Sequence, residues 1–112
     1  MAAFEIPGLR FSSNAAEAIT RRRFVVPSTD DSCRMAEIGN YVIGVSMNNP
    51  AQDEVLEIAD GIVMVEAGGT CVAGGRCTCG ANGVAIPAGP GATVGNFLTG
   101  GDTGELVTVK MY

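Results

Sequence analysis

From Arg23 onward, short apolar runs rich in β-forming residues alternate with clusters of turn formers, and this punctuation limits the fold more than any other feature. The runs are "RFVV" (23–26), "YVIGVSM" (41–47), "EVLEIA" (54–59), "IVMVE" (62–66), "RCTC" (76–79), "TVGNFL" (93–98) and "ELVTVKM" (105–111). Between them stand "PSTDDS", "NNPAQD", "ADG", "AGG", "GANG", "PAGPGA" and "TGGDTG", all turn chemistry. At least seven strands follow, in a single all-β domain with a barrel or sandwich core. "LRFS" (9–12) adds a short strand, while Asn14 and Glu17, in capping-box spacing within "NAAEAIT", predict one or two helical turns. The Asp60-Gly61 pair reads either as a two-residue hairpin or as a glycine bend within one longer strand.

An internal repeat shapes the architecture. Shifted by 51, Ile43-Gly44 falls on Val94-Gly95, Met47 on Leu98, Glu54-Val55-Leu56 on Glu105-Leu106-Val107, and Ile58 on Val109. Upstream a shift of 53 lays Arg23-Phe24-Val25-Val26 over Arg76-Cys77-Thr78-Cys79, so that one half carries two extra loop residues. The expected fold is therefore two pseudo-symmetric halves over residues 9–112, preceded by a short N-terminal arm, residues 1–8, with at most one short helix.

The arm, "MAAFEIPG", reads as an extended segment closed by a Pro7-Gly8 turn, with Phe4 and Ile6 in need of a surface, or else as a frayed terminus. Charge is polarised along the chain. Arg10, Arg21, Arg22, Arg23 and Arg34 lie in the first third, although the net charge is −5. An acidic chain of this kind is not expected to bind nucleic acid through its phosphates. "IVMV", the longest aliphatic run, is too short to cross a membrane. "MAAFEIPGLRF" has no basic region followed by an apolar stretch, so synthesis in a reducing cytoplasm is expected. "TRRRFVV" reads as a partner-facing basic cluster or as solvated arginines guarding a strand edge.

Catalytic chemistry is thinly represented. Histidine is absent, which removes the commonest general base, and no pair of the twelve carboxylates stands out at a fixed spacing. "GGDTGE" (100–105) lacks a lysine and leads into a strand, so it is a turn and not a phosphate cradle. Three of the four cysteines fall within nine residues, as "CVAGGRCTC" (71–79). Zinc favours paired C-x2-x4-C ligands, whereas the spacing here is C-x5-C-x-C with Cys33 far upstream. Cys77 and Cys79 sit two apart on a strand, too far along it for a mutual disulfide, and Cys71 and Cys77 flank a turn. Packing as small buried hydrophobes, a metal site and a redox pair are the three readings.

The order of these features resembles the small capsid decoration, or cement, proteins of tailed bacteriophages, from about Leu9 to the C-terminus. "LRFSSNAAEAITRRRFVV" is similar to that family's first strand, Ala-rich segment and "GRFV"-like strand. "YVIGVSMNNPAQDEVLEIADGIVMVEAGGTCVAGGRCTCGANGVAIPA" resembles its IGV strand, alternating segment and glycine hairpin, and "TVGNFLTGGDTGELVTVKMY" its second G-x-L-V-x-V strand. The hairpin cysteines, and Arg21 and Arg22 where a turn glycine is usual, depart from it. The resemblance implies a non-enzymatic, cofactor-free virion protein. Such a protein binds the major capsid protein on the outer surface of an icosahedral head as a homo-oligomer, a trimer before a dimer. On that reading Phe4, Ile6, Arg10, Arg21, Arg22 and Arg23 are the candidate contacts with the shell or a neighbouring subunit. Two other classes compete: a thiolate metal module, and a biotinyl or lipoyl carrier whose modified lysine would be Lys110 in "VKM".

Overall fold

The computed structural model describes residues 3–88 and 93–112. Among them are nine strands: β1 (Ile6–Ala15), β2 (Phe24–Thr29), β3 (Ser32–Met35), β4 (Gly44–Ser46), β5 (Val55–Glu66), β6 (Arg76–Cys79), β7 (Ala85–Pro87), β8 (Gly95–Phe97) and β9 (Leu106–Met111). A single 3₁₀ turn, η1 (Ala81–Gly83), joins β6 to β7. The sheet order is β1-β3-β2-β4-β5-β9-β8-β6-β7, and β1 also pairs with β5. The first five strands therefore close into a ring. The second half closes likewise, by a parallel bridge from Ala67 at the end of β5 to Ala85 in β7.

The two rings are copies of one plan. β3-β2-β4-β5 in the first corresponds to β7-β6-β8-β9 in the second, strand for strand and with the same antiparallel pairings. The counterpart of β1 is the second half of β5, because Asn14↔Val55 and Ser13↔Leu56 recur as Glu66↔Leu106 and Val65↔Val107. The glutamate shared by both copies has a local task. Glu54 Oε1 accepts the Ala51 N–H and Glu105 Oε1 the Asp102 N–H, each at 2.7 Å, closing the turn before each strand. The shared glycine marks close approach of backbones: a Cβ on Gly44 would collide with Ile58 and the Ala59 carbonyl, and one on Gly95 with the Lys110 carbonyl.

Register corrects the sequence alignment upstream of β4. Val25 pairs with Met35 where Cys77 pairs with Pro87, and Pro27 with Cys33 where Cys79 pairs with Ala85. The shift there is 52, not 53, and one extra loop residue separates the halves instead of two. Matching Arg23 to Arg76 favoured the wrong offset, since the backbone places Phe24 on Arg76.

β5 is the strand on which the molecule turns. Asp60-Gly61 is a bend within it: Gly61 takes φ 109 and the strand runs on to Glu66. Successive side chains of a strand point to opposite faces, so one strand can serve two cores. Leu56 and Ile58 enter the first ring with Ala15, Ile19, Val25 and Cys33. Ala59, Val63 and Val65 point the other way, into a larger cluster with Val107, Val109, Cys71 and Cys77. That cluster also takes Phe24, Val26 and Val45 from the outer side of the first ring. The seam between the rings is thus continuous with the second core.

The predicted helix after Asn14 is absent. Its backbone donors are taken by distant partners: Ala15 N–H by Glu54 O, Ala16 N–H by Cys33 O and Ile19 N–H by Pro50 O. Once those sheet contacts exist, a turn of helix would have to break them. Pro7-Gly8 likewise lies inside β1, at a register shift against β5 between Pro7 and Leu9. The expected loop "PAGPGA" falls partly outside the described residues.

Candidate interaction surface

β1 is paired fully along one edge only. It runs antiparallel to β5 along one edge, but its other edge meets β3 only at Asn14 and Ala15. Along it Ile6 is 64% exposed, Leu9 59% and Phe11 38%. A strip of three large apolar side chains on one strand is more than scattered surface hydrophobicity. Arg10 stands exposed among them, and a shallow cleft beside it is lined by Arg10, Phe11, Ser12, Glu57 and Ile58.

The residues before β1 are tied to their own chain. Thr108 Oγ1 accepts the Phe4 N–H at 2.7 Å and donates to the Phe4 carbonyl at 2.5 Å. Thr108 is fully buried, and its own N–H goes to Thr99 Oγ1 at 2.9 Å. Glu5 forms an ion pair with the Arg22 guanidinium, which also contacts Met47 Sδ at 3.6 Å. Phe4 and Ile6 still present side chains outward, at 38% and 64% exposure, because these bonds use backbone and not side chain.

The remaining arginines divide. Arg21 is exposed, its backbone N–H held by Asn49 Oδ1 at 2.8 Å. Arg22 adopts φ 64, so "RRRF" is a kinked entry to β2 and not the continuous strand whose alternation would direct Arg21 and Arg23 to one side and Arg22 to the other. Arg23 points into the seam, bonding Glu66 Oε2 at 3.2 Å and the Asn82 carbonyl at 3.1 Å. It thereby links β2, β5 and η1. Arg10 and Arg21 are the cationic side chains of the six candidates that remain directed to solvent. Neither Leu9 nor Phe11 was singled out by the sequence, although their flanking of Arg10 within "LRFS" carried the signal.

The four cysteines are free and buried. Burial, with Asp102 adding to it, pushes the Cys71 thiol up. Burial chiefly, with the charges of its cysteine neighbours, raises Cys77 strongly, and burial with Glu37 pushes Cys79 up to about 12. Such thiols stay protonated at neutral pH, which suits packing and not the thiolate that ligates metal or exchanges disulfides. Cys71 lies before and Cys77 beyond the turn closed by Gly75 N–H to Val72 O, with thiols facing one core. Among the described residues no three Cys, Asp or Glu side chains gather as a metal site. Lys110 sits inside β9, paired with Ile62 and Asn96, and not on the exposed turn a carrier lysine requires.

No protein-family model matches the chain, and no curated protein matches it by sequence. Among solved structures, the crystal structure of the head fiber gp8.5 N base in bacteriophage phi29 superposes with a TM-score of 0.79 over 93% of each chain, at 19% identity. The fold is one that a phage head carries. That likeness agrees with the sequence resemblance to phage head proteins, and at 19% identity it is a likeness of fold.

Proposed function

We propose that this chain is a structural protein of a tailed-bacteriophage virion, a head decoration protein rather than an enzyme. It is made in the host cytoplasm and binds the major capsid protein on the outer surface of the icosahedral head, stabilising the shell as a symmetric oligomer. The family resemblance favours a trimer over a dimer for that oligomer. The observation that carries the reading is the likeness of the whole fold to a phage head fiber base. The exposed side chains of Phe4, Ile6, Leu9 and Phe11, with those of Arg10 and Arg21, supply the contact groups. Arg22 and Arg23 serve those groups indirectly, by holding the arm and the seam. Several copies joined in an oligomer convert modest individual contacts into firm attachment.

The test is to mix purified protein with undecorated phage shells and image them. Ordered protein density on the shell is expected. Bare shells at saturating protein would overturn the reading.

A further inference from the structure

The free edge of β1 has a definite hydrogen-bonding pattern. Ala15 donates its N–H toward β5, to Glu54 O, whereas Asn14 donates away from it, to Asp31 O. Alternation along the strand then turns the N–H and C=O of Arg10 and Ser12 away from β5, and among the described residues no strand pairs with them. The second ring shows what such an edge accepts. Ile62 is the counterpart of Arg10, and its outward edge is occupied by Ile6, an extended segment of the same chain. At Arg10 no segment among the described residues takes that place.

We propose that the β1 edge pairs with the β1 edge of a second copy, antiparallel about a twofold axis through Phe11. The register is set by the free groups: Arg10 lies opposite the second copy's Ser12 and Ser12 opposite its Arg10, so each of these facing pairs exchanges two backbone hydrogen bonds. Phe11 then meets the second copy's Phe11, and the two half-exposed rings cover one another. Charge also matches. Glu57 pairs with Ser12 across the sheet and therefore shares a face with Arg10, and neither has an ion-pair partner within the chain among the described residues. In the joined sheet, Arg10 of one copy lies two strand spacings, ~10 Å, from Glu57 of the other, within the combined reach of the two side chains. The surface is thus self-complementary, as a twofold contact must be. A shell strand of unrelated sequence has no such built-in match.

The pairing is independent of the shell, so its test is too. Sedimentation equilibrium of the purified chain should give an even number of protomers, two, or six if trimers also form. Ser12→Pro removes an outward N–H and leaves the ladder to β5, so it should halve the mass while the circular dichroism spectrum is retained. Arg10→Glu and Glu57→Arg should each weaken association by at least tenfold, and the double exchange should restore it. That restoration separates pairing from misfolding. A monomer or an isolated trimer at high concentration, or a mass unmoved by Ser12→Pro, overturns the proposal. So does a chain that stays monomeric yet loses shell binding on Ser12→Pro, which would give the edge to a shell strand instead.

Discussion

The two rings share a backbone plan and differ in what their outer faces meet. Phe24, Val26, Val45 and Ala59 leave the first ring outward and are buried in the seam. Their counterparts in the second ring are Arg76, Thr78, Asn96 and Lys110, of which Arg76 and Lys110 are exposed and the other two half-buried. Repetition of a closed-sheet plan therefore does not dictate a symmetric molecule. One ring's outer face is core, while the other's is polar, and four residue pairs carry the difference.

The sharpest way to break this comparison is to truncate one member of a pair. Phe24 is fully buried in the seam, so Phe24→Ala should cost about 3–5 kcal/mol by lost transfer and an unfilled cavity. Arg76→Ala should stay within about 0.5 kcal/mol, as exposed substitutions do. Urea denaturation of the two variants measures both. Similar losses would mean that the seam is not where the rings adhere.

The cysteines sharpen the same comparison in the interior. Cys77 occupies the place of Val25, and both are fully buried, so a small apolar side chain serves either core. Replacing Cys77 by Val and Cys79 by Ala should leave stability at pH 7 nearly unchanged. Alkaline behaviour should differ. The folded thiols keep their protons well above the usual value of 9.0, with Cys79 near 12, whereas the unfolded chain releases them from about pH 9. The unfolded state then binds fewer protons, so the native protein loses about 1.4 kcal/mol per pH unit per thiol above pH 9. The double variant should lack that slope. Equal slopes in urea melts from pH 9 to 11 would show that the thiols are not held neutral by the fold.

How much of this was legible beforehand varies from element to element. The strands, the repeat and the all-β class follow from alternation and turn chemistry, which are local. The helix at Asn14 failed because distant carbonyls claim its donors, and β3 was missed because Ser32–Met35 is too short and polar to stand out beside a turn. Among the candidate contacts, the sequence marked charge and apolarity but not direction. Arg21, Arg22 and Arg23 are adjacent in the chain, yet one faces solvent, one holds Glu5 and one enters the seam. The positive φ at Arg22 that separates them has no signature in an arginine triplet.

A smaller effect comes from a pair of turn positions. Asp31 and Gly83 are counterparts, with φ of 58 and 77, but the Asp31 side chain lies in the open, whereas a Cβ on Gly83 would collide with the Phe24 carbonyl across the seam. Gly83→Asp, which copies the first ring into the second, should cost about 2 kcal/mol or more, since the obstacle is backbone and cannot swing aside. A neutral outcome in a thermal melt would mean that η1 can withdraw from β2.

The smallest expected effect concerns the arm. Glu57 in the first ring and Thr108 in the second are counterparts, and each gives its N–H to an equivalent side chain, Asn48 or Thr99, at 3.0 and 2.9 Å. Glu57 is exposed, whereas Phe4 lies against Thr108. Thr108→Val keeps the shape and the sheet but leaves the Phe4 amide and carbonyl without their partner, a loss of about 1 kcal/mol. The larger consequence should be local: faster hydrogen exchange at Phe4 and its neighbours, with β9 still protected. If exchange at Phe4 is unchanged, the arm is held by Glu5 and Arg22 alone. Global stability and arm order are separable here, because the tether joins a strand end to a surface already closed beneath it.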